Sequence, residues 1–203
     1  MSSFDTIAND ETIQKTAQAL TANGFEVHVA ESQEAAKELV LSIVPKGAET
    51  FTNSSKTLDE LGLSEVLNSE DFVSGRDKMM ALWGDEEKKQ EMKKIAATPE
   101  YALSSAHAIT EDGKILIASA SGSQLPSQSY GAENVVLVVG AQKIVKDLSE
   151  GIERIEEYVV PLEDKRAMEV YGSPTSFNKL LVLAKEPVAG RTKVVLVKDS
   201  LGF

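Results

Sequence analysis

The chain contains no cysteine. That absence excludes disulfides, thiolate zinc sites, thiolate-held iron–sulfur clusters and a cysteine nucleophile, and it fits a reducing cytoplasm. Aromatic residues make up 5% of the sequence, too few for a base-stacking surface. Basic residues are outnumbered by acidic ones, 21 to 32, which disfavours nucleic acid and anionic membranes as partners but leaves room for a local basic pocket. No apolar run exceeds residues 135–139, against the roughly 20 residues that span a bilayer. Residues 1–20 carry Asp5, Asp10 and Glu11 without an apolar core, so no signal peptide is expected. The two histidines, His28 and His107, stand far apart. They make a poor zinc site and leave carboxylates for magnesium as the metal alternative; no cofactor is expected.

What is present is 203 residues, 42% hydrophobic, enough for one α/β domain over residues 1–203 that needs no covalent staples. Asn9 or Asp10 caps a first helix carrying Ile13, Ala17 and Leu20, with Gly24 as its stop. Phe25, Val27 and Val29 alternate with Glu26 and His28, which predicts a strand with His28 on its solvated face. Ser32 opens a second helix ending before Pro45. A strand at 49–52 leads through Asn53-Ser54-Ser55-Lys56-Thr57 into a helix stopped at Gly62. Ser74-Gly75 marks a break, and a charged helix covers residues 85–97. Residues 101–110 are small and apolar, and the Asp112-Gly113 pair after them predicts an antiparallel hairpin near 101–118. Residues 119–123 form a loop before a short helix to Tyr130 and Gly131. The unbroken apolar strand at 134–140 belongs in a sheet centre, buried on both faces. Asp147 through Glu150 is a capping box for a helix through Tyr158, closed by Pro161. Strands at 180–184 and 193–198 end the chain. The cadence predicts a mixed, mostly parallel open sheet between helices.

In such sheets ligands sit beyond the carboxyl ends of strands. Two loops fit: residues 53–57, with Ser55, Lys56 and Thr57, and residues 119–124, with Gly122, Ser123 and Gln124. Neither carries a phosphate-loop or dinucleotide fingerprint, and no serine-hydrolase elbow surrounds Ser121 or Ser123. His107 lies inside an apolar strand and, with Glu111 at the hairpin, is the acid/base candidate. Lys143 and Arg166 can clamp a carboxylate or phosphate.

Several blocks resemble one family. Ser105-Ala106-His107-Ala108-Ile109-Thr110-Glu111-Asp112-Gly113, then Tyr130-Gly131, then residues 136–145 with Gln142-Lys143-Ile144-Val145, are similar to the LUD domain of LutC-like lactate utilisation proteins. Residues 161–166 and the closing Gly190-Arg191 and Leu201-Gly202-Phe203 extend the likeness. The resemblance implies a NagB/RpiA/CoA transferase-like fold and an accessory role in oxidation of lactate or related carboxylates, beside iron–sulfur oxidoreductase subunits. Against the family pattern, Asn53-Ser54 replaces a glycine pair, Gln124 stands in place of an arginine, and Gln142 and Glu163 replace asparagines. Without that arginine, a ligand is expected to be held by backbone and hydroxyl groups more than by charge. Three functional classes follow: a cytoplasmic binder of a small anionic metabolite, with a homodimer as an option; a sugar-phosphate isomerase or acyl-CoA transferase using Glu111; and a non-catalytic docking subunit for an iron–sulfur partner.

Overall fold

The structure is a computed structural model that describes residues 4–203. Its frame is a six-stranded sheet in the order β1 (Glu26–Ala30), β10 (Thr192–Val197), β7 (Asn134–Gly140), β4 (Tyr101–Ser104), β2 (Glu49–Thr52) and β3 (Val73–Ser74). Every pairing in it is parallel. As its valine-rich run predicts, β7 is interior, held between β10 and β4, with Val135 through Val139 wholly buried.

The helices begin where their caps predict. The Asn9 side chain accepts from Thr12 N–H at α1 (Asp10–Ala22), and Ser32 accepts from Ala35 N–H at α2 (Gln33–Ile43). Two short helices follow β2, α3 (Lys56–Glu60) and α4 (Leu63–Leu67), separated by Gly62 in the left-handed region at φ 63°. Ser74 caps α5 (Gly75–Met80), which packs beside α6 (Lys89–Ala97) next to Phe51 of β2. One face of the sheet buries Leu103, Val136, Val138, Val195 and Val197 against α2, α3 and α4.

The architecture is the expected mixed, mostly parallel sheet flanked by helices, and the other face carries an addition. That face is covered by α1 and by a second sheet, in the order β8 (Ile144–Val145), β5 (Ala108–Thr110), β6 (Ile115–Ser119) and β9 (Lys179–Leu183). Alternation along this small sheet explains its place. Ile109, Ile115 and Ile117 point to the large sheet, while Ala108, Leu116 and Ala118 point outward to Ile155 and its neighbours. α7 (Leu148–Arg154) and α8 (Val160–Tyr171) flank that outer side.

Two expectations need correction. Residues 101–110 do not form one strand: β4 stays in the large sheet, residues 105–107 cross over, and only β5 enters the hairpin with β6. Both closing strands form where expected, β9 running antiparallel to β6 and β10 lying between β1 and β7. The helix expected to stop at Pro161 continues to Tyr171, because residues Ile155–Val159 widen into a π-turn in which Val160 N–H reaches back to the Ile155 carbonyl. That wider turn places Pro161 at the first turn of α8, where a missing N–H costs little. Among the described residues no helix is long and apolar enough to cross a membrane.

Candidate functional site

The carboxyl ends of β2, β4 and β7 open on the same side of the large sheet, since the three strands are parallel. Each continues into a polar segment, 53–57, 105–107 and 141–143 respectively. With the loop after β6 these segments line a cleft of about 280 Å³. Ser55, Thr57, His107, Ser123, Gln124 and Lys143 all border it, so both predicted loops meet at one place.

Lys143 is 2% exposed. Its Nζ donates to Thr57 Oγ1 at 3.0 Å and to Ser105 Oγ at 3.2 Å. Burial and the nearby charge of Arg154 bring its ammonium down to about 7, with Glu60 pulling weakly the other way. Arg154 is 0% exposed; its guanidinium donates to the carbonyls of His107 and Phe4 and lies 5.2 Å from the ring centroid of Tyr158. Among the described residues neither cation forms a salt bridge. Two buried basic side chains with no salt-bridged acid among the described residues are unusual, and more so in a protein of net charge -11.

His107 keeps partial access to the cleft, but its ring is packed tightly enough that desolvation, with Lys143 and Arg154, holds its pKa down to about 3. Its Nδ1 accepts from the Ala118 N–H. The ring is therefore neutral at pH 7, and the remaining nitrogen, Nε2, carries the proton. Asn53, 8% exposed, lines the cleft with a buried Nδ2 that has no hydrogen-bond partner among the described residues.

The loops spend much of their own hydrogen-bonding capacity. Ser55 accepts from Leu58 N–H as the cap of α3. Gln124 accepts from the Ser119 hydroxyl at 2.8 Å and donates to the Ala118 carbonyl at 3.1 Å, so its amide staples the end of β6. Ser123 N–H donates to Ser121 Oγ. Lys143 is the ionisable amine on the cleft wall beside these loops.

The remaining candidates lie elsewhere. Glu111 sits at the hairpin turn in an exposed 2.6 Å pair with Lys15. Gly122 borders a neighbouring groove instead of the cleft. Arg166 holds both carboxylate oxygens of Glu163, at 2.6 and 2.7 Å, beside the cleft wall that Glu163 forms. His28 is partly buried and bonds Glu26 at 2.9 Å. Sequence reading missed Ser105 and Arg154. Ser105 could have been found from its place directly after a strand end; Arg154 carries no local signal, because its burial depends on α7 packing over the small sheet. Among the described residues no three His, Asp or Glu side chains converge as a metal ion would require.

Comparison with known proteins agrees with this architecture. The structure superposes on a DUF162 family protein from Deinococcus radiodurans with a TM-score of 0.56 at 13% identity, covering 95% of this chain and 99% of that one. A weaker partial overlap, TM-score 0.33 at 12% identity over 61% of this chain and 47% of the other, is with the tetrameric eIF2B-beta2-delta2 complex from C. thermophilum. No curated protein matches the chain in sequence. The profile of the LUD domain matches residues 13–197, a span that includes every cleft segment except residue 203 of the closing tail, and the chain belongs to the LUD domain family.

Proposed function

We propose that the protein binds a small organic anion, of the hydroxy-acid or related carboxylate class, in the cleft between the 53–57 and 119–124 loops. The observation that carries this reading is the pair of buried basic side chains, Lys143 and Arg154, with no salt-bridged carboxylate among the described residues. A bound carboxylate supplies the missing charge, and its hydrogen bond to a desolvated ammonium is among the stronger kinds. Thr57 and Ser105 orient the Lys143 amine. Asn53 Nδ2 and the Nε2–H of His107 add neutral donors suited to a hydroxyl or carboxylate oxygen.

In this proposal the protein acts in the cytoplasm as an accessory to lactate or related carboxylate utilisation. Any iron–sulfur chemistry belongs to partner subunits, since this chain has no cysteine. A sugar-phosphate isomerase or acyl-CoA transferase needs a carboxylate at the reacting atoms. Glu111 is engaged at the hairpin and Glu163 is tied to Arg166, so neither recommends that alternative.

The test is a thermal-shift screen of lactate, pyruvate, sugar phosphates and coenzyme A on wild type and Lys143→Met. Ligand binding to the folded state alone raises the midpoint. Carboxylates should raise the wild-type midpoint and leave Lys143→Met unmoved. Equal shifts in both proteins would remove the cleft from consideration.

A further inference from the structure

Beside the polar cleft lies an apolar groove of about 690 Å³, walled by Met79, Trp83, Met92, Ala96 and Pro126. Its contents are out of keeping with a solvated surface. Trp83, the sole tryptophan of the chain, is 68% exposed there, and methionines make an adaptable apolar lining. The groove is not a separate feature of the surface. Ser121 and Ser123 line both it and the cleft, so the two cavities share one wall. Gly122 forms the edge between them with φ 86°, and the aliphatic stem of Lys179 lies over it, 2.8 Å from where a Cβ would stand. Lys179 also donates to the Ser121 carbonyl, which pins this edge in place.

Resting on the anion-binding reading above, we infer that the ligand is amphiphilic: an organic acid whose carboxylate sits at Lys143 and whose apolar tail crosses the 121–123 edge into the Trp83 groove. The shared 121–123 edge between the two cavities favours this occupant over a separate macromolecule. Lactate alone leaves the groove unused and fills only part of the cleft. The rim also fits a small molecule, since Asp85, Glu86, Lys89 and Lys93 mix both signs and offer no single-charge patch for a protein partner.

The experiment is a chain-length series of α-hydroxy acids, from lactate through α-hydroxyhexanoate to α-hydroxydecanoate, below their micelle concentrations. Binding is followed by calorimetry and by Trp83 emission, which reports the groove alone because there is no other tryptophan. Affinity should rise by about threefold to fourfold for each methylene buried. The long acids should shift Trp83 emission to the blue and lactate should not. Trp83→Ala should flatten the rise with chain length, and Lys143→Met should weaken every member of the series. If lactate binds and longer acids bind no tighter, the amphiphile inference falls while the anion reading stands. If no acid of any length binds, both fall. Long acids that bind Lys143→Met as well as wild type would show a groove that works without the cleft, and would overturn the two-part ligand.

Discussion

The backbone N–H of Ala118 donates to Nδ1 of His107 across 3.1 Å, joining the end of β6 to the crossover between the two sheets. An N–H can only donate, so this bond requires an unprotonated Nδ1 and sets the tautomer of a ring that faces the cleft.

Protonating that ring should weaken the fold. The pKa of His107 is about 3 in the folded state against an ordinary 6.5, so between these values the unfolded chain binds more protons. Its contribution is complete above pH 6.5 and is lost as pH falls towards 3. Allowing for partial solvent access, this amounts to roughly 1–3 kcal/mol between neutral pH and pH 4. Urea midpoints of wild type and His107→Gln should differ in slope over this window. Parallel curves would contradict the argument.

Lys143 gives the opposite window and a binding signature. Its folded pKa of about 7 lies below 10.5, so stability of the unliganded protein should rise from pH 7 to pH 10. Lys143→Met should raise the melting midpoint more at pH 6 than at pH 10. A bound carboxylate favours the ammonium, so affinity should fall by about tenfold per pH unit above 7 until the bound-state value is reached. Calorimetry across pH 6 to 9 checks this; a flat wild-type profile would mean that Lys143 does not meet the anion.

Gln124→Arg tests the loop that departs from the family pattern. The substitution removes the staple to Ser119 and Ala118, at a cost of roughly 1–2 kcal/mol. It also places a permanent cation at the cleft wall, so anion affinity should increase and become more salt-sensitive. Midpoints and titrations at two salt concentrations separate the two effects.

Gly113→Ala should destabilise without touching the cleft. Gly113 holds the hairpin turn at φ 81°, and a Cβ there would stand 2.6 Å from the Ala19 carbonyl carbon. Left-handed strain and a backbone clash together should cost at least about 2 kcal/mol. Denaturant melts check the loss; a change below 0.5 kcal/mol would mean that α1 shifts to make room.

Local chemistry made much of this protein readable in advance. Caps at Asn9, Ser32 and Asp147 start helices through bonds to N–H groups two or three residues on. Val135 through Val139 announce a strand buried on both faces, and Asp112-Gly113 announces a hairpin. Each depends only on residues close in sequence. That the 53–57 and 119–124 loops belong at strand ends was equally legible, because polar segments follow apolar runs there. Tertiary packing decided the rest. Whether residues 101–110 stay in one sheet or cross between two depends on what covers the second face of the large sheet. Pro161 ends a helix in isolation, but here a π-turn packed over the small sheet carries the chain through it. Arg154 and Lys143 look like surface charges in sequence, yet α7 and the end of β7 bury both beside the cleft. Their desolvation, on which the proposed anion binding rests, is a property of the assembled layers and of no local pattern.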